Sequence, residues 1–276
     1  MEVIAIIVFV VVIGLIISEK VNSAAAALAG AMALVVTGVM SAHRALSYID
    51  FNTIGLLVGM MVLVAIIRQS GLFEYVAIKA AKMVHGDPWK IMIAFILLTA
   101  VLSGILDNVT TVLLVGPMTI SIAKMLEINP VPFLMTQILA SNAGGTATLI
   151  GDPPNIMIGS AANLSFVDFL KNTGVAVALV IVFMIVMMSF VYKKEIEVEG
   201  LDTSKIMNLD PNKSITDKPL LIKGVVVIVL VILGFIFHDQ IGMETSVIAL
   251  TAAAVMLRKK PYVTDGWEGE GASDVQ

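Results

Sequence analysis

The chain has 276 residues, 58% hydrophobic and 14% charged, with a formal charge of −4 and no cysteine; its mean hydropathy is +0.99. Charge at roughly half the share usual in soluble domains excludes a water-soluble globule, and the lack of cysteine excludes disulfides and thiolate metal sites. No basic cluster is interleaved with aromatics, so nothing points to nucleic acid; the partner this composition requires is a lipid bilayer.

Residues 3–17 predict a first span. Met1-Glu2-Val3 ahead of it carries no Lys or Arg, where a cleaved signal would carry positive charge. Residues 24–40 predict a second span, 41–50 an amphipathic turn and 53–67 a third span. Residues 71–85 (GLFEYVAIKAAKMVH) place apolar side chains at helical spacing but include Glu74, Lys79 and Lys82; this predicts an interfacial helix. In 89–125, two apolar runs, 91–106 and 112–125, flank Asp107, Asn108, Val109, Thr110 and Thr111. The pair is too long for one crossing of about 20 residues. Two short helices meeting at a polar tip, a re-entrant hairpin, fit that length; two full spans with an outside turn are the alternative.

Residues 131–163 predict a broken helix around 141–155, SNAGGTATLIGDPPN. Gly144, Gly145 and Gly151 loosen the backbone. Pro153 and Pro154 stop an arriving helix and favour the start of the next. One half is expected to end near Ala143 and the other to start near Pro153. Irregular backbone inside a membrane survives only where protein buries it or a cavity borders it. There the freed carbonyls can bind a cation, and the new N-terminus offers N–H groups and dipole to an anion. The bland alternative is a Gly/Pro loop outside the membrane. A linker at 163–171, a span at 173–192, a polar loop at 193–219, spans at 220–237 and 245–257, and a disordered tail at 258–276 complete the chain.

With the N-terminus outside and the hairpin returning to the side it left, fifteen of the 17 Lys and Arg fall on the cytoplasmic side, leaving Arg44 and Lys171 outside. The expected location is therefore the inner membrane, multi-pass, with a cytoplasmic tail. The three histidines, His43, His85 and His238, sit at segment ends and read as interfacial rather than metal ligands. Residues 21–34 (VNSAAAALAGAMAL) resemble 243–257 (METSVIALTAAAVML). This faint internal repeat predicts an inverted-repeat transporter: a first repeat over 1–192, a cytoplasmic loop, and a second repeat begun at 220–257 and truncated. A half-unit that pairs with another chain is the alternative.

DNVTTVLLVGP at 107–117 together with SNAGGTATLIGDPPNIMIGS at 141–160 resembles the arsenite-permease and sodium/proton-antiporter branch of the ion transporter superfamily. The likeness is greatest to P-protein-like permeases, with citrate carriers as more distant relatives. The resemblance implies an all-α polytopic secondary carrier, a dimer in its relatives. Its hairpin tip would be Asp107, Asn108, Thr110 and Thr111. Its unwound loop would hold Asn142, Gly144, Gly145, Thr146 and Thr148 after Ser141, and Gly151, Asp152, Pro153, Pro154 and Asn155 would open the second half-helix.

An ionisable residue at bilayer depth costs about 2.5–3.5 kcal/mol on insertion scales. Asp107 is thus a candidate to couple H⁺ or Na⁺, or else a helix N-cap for the Thr110 or Thr111 N–H; Asp152 carries the same two readings. The amides of Asn108 and Asn142 and the hydroxyls of Thr146 and Thr148 suit a partly dehydrated ion or a neutral oxyacid such as arsenous acid. A Na⁺ at Asn108, Gly144 and Thr146 is one such arrangement. No cofactor is called for beyond the coupling ion. The rival class is an intramembrane aspartyl hydrolase using Asp107 and Asp152, although Leu149-Ile150-Gly151-Asp152 lacks the first glycine of Gly-x-Gly-Asp. A non-transporting membrane subunit is the third class.

Overall fold

In the computed structural model the described residues are 1–162, 164–196 and 203–257, and every regular element among them is a helix. The expected tail at 258–276 lies outside them, as do Asn163 and residues 197–202 of the polar loop. The chain divides into two units, the second beginning at Asn52.

The first unit holds α1 (Glu2–Ile17), α2 (Ser23–Val36) and α3 (Ala42–Ser47). The Asn22 side chain opens α2 by accepting from the N–H groups of Ala24 and Ala25 at 3.0 and 3.2 Å. A Cβ on Gly30 would collide with the Val12 side chain, so this glycine permits the close approach of α1 and α2. No residue of α1 is buried, and beyond Glu2 the helix is apolar on every face, a composition that lipid rather than water can solvate.

The second unit runs through α4 (Phe51–Arg68), α5 (Leu72–Met83), α6 (Pro88–Ser103), α7 (Asn108–Met125), α8 (Val131–Thr146), α9 (Pro153–Ala162) and α10 (Phe166–Ile196). Then follow α11 (Ser204–Met207), a 3-10 turn (Pro211–Ser214), α12 (Lys218–Ile241) and α13 (Thr245–Leu257). Among the described residues, four helices are long and apolar enough to cross a membrane: α4, α7, α10 and the 218–238 part of α12.

Two apolar clusters build this unit. One joins α5, α6, α7, α8 and α10 through residues such as Phe95, Ile122, Phe133 and Met184. The other gathers α4, α12 and α13 around Leu106, Leu149 and Ile150, the apolar residues of the two chain breaks. Gly59 of α4 lies against the Ala249–Leu250 backbone of α13, where a Cβ would come within 2.7 Å. The segment after α10 is tied back: Thr216 donates to the Ser70 and Gln69 carbonyls at 3.1 and 2.8 Å, and Lys82 donates to the Leu209 carbonyl at 2.6 Å.

α8 ends at Thr146, three residues beyond the expected Ala143. Gly144 and Gly145 are helical, and their purpose is packing rather than unwinding. A Cβ on Gly144 would strike the Ala100 backbone of α6. The irregular stretch is therefore 147–152, and α9 starts at Pro153 as expected. The expected span at 173–192 lies within the longer α10, whose start is capped by a reciprocal pair. Ser165 Oγ donates to Asp168 Oδ2 at 2.8 Å, and the Asp168 N–H donates to Ser165 Oγ at 3.1 Å.

Candidate functional site

The two breaks meet. The Asn108 amide at the start of α7 donates to Asn142 Oδ1 of α8 at 3.1 Å. Ser103 Oγ, at the end of α6, donates to the Ser141 carbonyl at 2.6 Å. Thr148 Oγ1, inside the α8–α9 break, donates to the Gly104 carbonyl inside the α6–α7 break at 2.5 Å and accepts from the Gly151 N–H at 3.1 Å. Thr173 Oγ1 of α10, which donates to the Phe169 carbonyl of its own helix at 2.6 Å, lies 3.3 Å from the Ala147 carbonyl. At about 1.5 Å per residue, roughly 10 Å of α10 lies before that level and roughly 35 Å after it. Both breaks thus lie alongside α10, set in from its N-terminal end.

The residues expected to form a site sort into two groups. Thr111, Ser141, Gly144, Gly145, Thr148, Gly151 and Asn155 are buried and form the joint between the breaks. Asn155 is the pin: its Nδ2 donates to the Gly145 and Thr148 carbonyls at 3.1 and 2.9 Å. A Cβ on Gly145 would come within 2.9 Å of the Gly151 carbonyl, and one on Gly151 would meet the Gly145 and Ser103 backbones. The second group faces outward. Asn142 and Thr146 are exposed one turn apart on α8, and Asp107, Asn108, Thr110 and Asp152 are half-buried. The Asp107 carboxylate lies close enough to act electrostatically on that of Asp152. Apolar Val109, Leu113, Ile138 and Leu139 are exposed on the same two helices.

This arrangement changes the expected chemistry. The freed carbonyls of Gly145 and Thr148 already accept from Asn155. The α9 N-terminus has few N–H groups to offer an anion. Pro153 and Pro154 lack them, and the N–H groups of Asn155 and Ile156 turn back to the Asp152 carbonyl at 3.0 and 3.4 Å. At the α7 N-terminus, Asp107 Oδ1 accepts from the Thr110 N–H at 2.8 Å, so Asp107 is an N-cap. Asn108 Oδ1 takes the Val109 N–H at 2.8 Å. What remains facing outward is two carboxylates, two amides and two hydroxyls, oxygen donors suited to a cation.

Several residues of the joint escaped the sequence reading. Ser103 and Gly104 end a run that reads as apolar throughout, and small polar residues there were the signal. Gln137 reads as an isolated amide in an apolar helix, yet its Nε2 donates to Thr119 Oγ1 of α7 at 2.6 Å; nothing local in the sequence links the two.

A citrate transporter family model matches residues 13–263. The chain belongs to the citrate transporter (CitMHS) family. Among curated members of wider kinship, it is 42% identical over 261 residues to an uncharacterized transporter of Mycobacterium bovis, covering 93% of this chain and 61% of that protein. It is 41% identical over 261 residues to a 46 kDa membrane protein of Mycobacterium leprae, with the same coverage of each. It is 39% identical over 180 residues to the human P protein, covering 62% of this chain and 22% of that protein. The chain thus spans 61% of the length of the mycobacterial relatives. The family's description and the relatives' names both point to membrane transport.

Proposed function

We propose that the chain carries one half-site of a secondary-active transporter in the inner membrane, with the N-terminus outside and the two breaks at bilayer depth. The passenger is an ion, or a small oxyanion or oxyacid accompanied by one, as in arsenite or antimonite efflux and Na⁺/H⁺ antiport. The Asn108–Asn142 hydrogen bond carries this reading, because it brings the two polar breaks onto one face. The carboxylates of Asp107 and Asp152 make that face attractive to Na⁺ or H⁺ and repellent to a bare multivalent anion. Citrate is the second reading, favoured by the family match; beside two carboxylates it would travel as a cation complex. Two copies of the chain would sit together in the membrane.

The test is uptake into proteoliposomes under imposed Na⁺ and H⁺ gradients, with arsenite, Na⁺ and citrate (with and without Mg²⁺) as labelled solutes. Asp107→Asn and Asn142→Ala should each abolish flux of the solute that the wild type moves. Flux unchanged in both variants would refute the assignment of the face.

A further inference from the structure

Three side-chain oxygens lie inside the joint with no hydrogen-bond partner among the described residues: Thr99 Oγ1 of α6, Thr111 Oγ1 of α7 and Gln137 Oε1 of α8. All three residues are 0% exposed. A buried polar atom left without a partner is destabilising, so three on adjoining helices require an account.

Their positions converge. Ser103 of α6 bonds to Ser141 of α8, and Thr99 and Gln137 each stand four residues earlier. They are therefore on the same helix faces, one turn further from the breaks. Asn108 of α7 bonds to Asn142, and Thr111 is about one turn into α7 from that contact, on the helix side that carries Thr119 two turns later. Thr119 in turn receives the Gln137 amide. Thr119 Oγ1 donates to the Val115 carbonyl at 3.0 Å, so it must accept from Gln137 Nε2. That fixes the amide's orientation and turns Oε1 away from Thr119.

The two threonines are also unlike others in the chain. Thr119, Thr136, Thr146 and Thr173 each turn the hydroxyl back onto a carbonyl of their own helix, the usual recourse of a helical threonine. Thr99 and Thr111 do not.

We propose that Thr99, Thr111 and Gln137 form an internal water-binding site that bridges α6, α7 and α8 one turn from the breaks. A buried water makes about three hydrogen bonds to polar groups that lack other partners. It would donate to Gln137 Oε1 and to one threonine hydroxyl and accept from the other. All three groups are neutral and no carboxylate is among them, which suits a neutral ligand rather than a bare cation. The bridge holds the hairpin in register with α8, and so holds Asn108 against Asn142. It stands independently of the transport reading, because no passenger enters the argument.

The test is thermal unfolding of the full chain in detergent, comparing wild type with Thr99→Val, Thr111→Val and the double variant. Valine keeps the shape and removes only the hydroxyl. Each single variant should lower Tm by about 2–4 °C. The double variant should fall little further, because both hydroxyls serve one water. A Tm unchanged or raised in the single variants would mean that the hydroxyls have no ligand, and would overturn the site. Additive losses would mean two separate sites and overturn the bridge. A wild-type Tm that rises when NaCl replaces choline chloride, with the rise lost in Thr99→Val, would overturn water in favour of a cation.

Discussion

Replacing Asn155 separates a binding role from a structural one. Its Nδ2 donates to the Gly145 and Thr148 carbonyls, and the residue is 9% exposed. Asn155→Ala leaves two carbonyls without that donor in a place water does not freely reach. Each loss is worth about 1–3 kcal/mol at a buried acceptor. Each carbonyl keeps a second lone pair and some relaxation follows, so a total of about 2–4 kcal/mol is reasonable. For a chain of this size that lowers Tm by about 5–12 °C. Asn155→Asp is the decisive companion. It keeps an oxygen where a bound cation would want one but has no N–H to donate, and its charge would face two carbonyl oxygens. If Asn155 pins the break, aspartate is at least as damaging as alanine. If Asn155 is instead an ion ligand through its carbonyl, aspartate keeps or strengthens cation binding and alanine alone weakens it. Nano-scale fluorimetry of the detergent-solubilised chain, with and without Na⁺, reads both effects. A Tm within about 1 °C of wild type for Asn155→Ala would refute the pin.

Gly144→Ala should lower Tm by about 3–10 °C, the range for overpacking by about 1–3 kcal/mol. The new Cβ meets the Ala100 Cα at 2.5 Å and its carbonyl carbon at 2.7 Å, and backbone cannot step aside. Gly116→Ala is the control: its Cβ would stand 3.7 Å from Leu134 Cδ2, and its Tm should stay near wild type. Asp87 gives the pH prediction. Partial burial raises its carboxyl, but the Lys90 N–H and ammonium and the Trp89 N–H outweigh that, and the net shift is downward. A lowered folded pKa means stability that is present above the ordinary value near 3.9 and lost as pH falls through the folded one. Asn caps a helix about as well as Asp, so Asp87→Asn isolates the charge. Its Tm deficit should be small, about 1–2 °C at pH 7 for a pair this exposed. In a Tm series it should begin to shrink only as pH falls below about 4, disappearing once pH is under the lowered folded value.

Much of the architecture was legible because lipid imposes simple rules. Long apolar runs became helices, Pro153 opened α9, and the polar clusters at 107–111 and 141–155 fell where helices break. The direction of each glycine's effect was not legible. Gly144 and Gly145 have no side chain to betray whether a partner's backbone lies alongside, and propensity alone favours unwinding. Only the approach of Ala100 reveals them as packing residues inside α8. The fate of the freed backbone groups was equally hidden. Asn155 stands ten and seven positions from Gly145 and Thr148, whose carbonyls it serves, and no local pattern says that its side chain closes the break. Asp107 carried two readings in sequence, and the hydrogen bond to Thr110 establishes the capping one. A cap uses one carboxylate oxygen, so capping and attraction of a cation at the same aspartate are compatible.

The breaks also explain how irregular backbone can persist away from water. Each unpaired backbone group in hydrocarbon costs several kcal/mol, so a six-residue gap such as 147–152 should be unaffordable unless donors are supplied. They come from nearby side chains: Asn155, from the helix that follows, for this break, and Thr148 for the opposite one. None of these donors is charged, which keeps the joint free of a desolvation penalty for ions. Charge is confined to Asp107 and Asp152 on the outward face. The division has a consequence for any passenger. A cation reaching that face meets oxygens that are held in place by a neutral, hydrogen-bonded frame, so its binding would require little rearrangement of the breaks themselves. Movement during a transport cycle would then be carried by the joined hairpin and broken helix together, not by opening the joint between them.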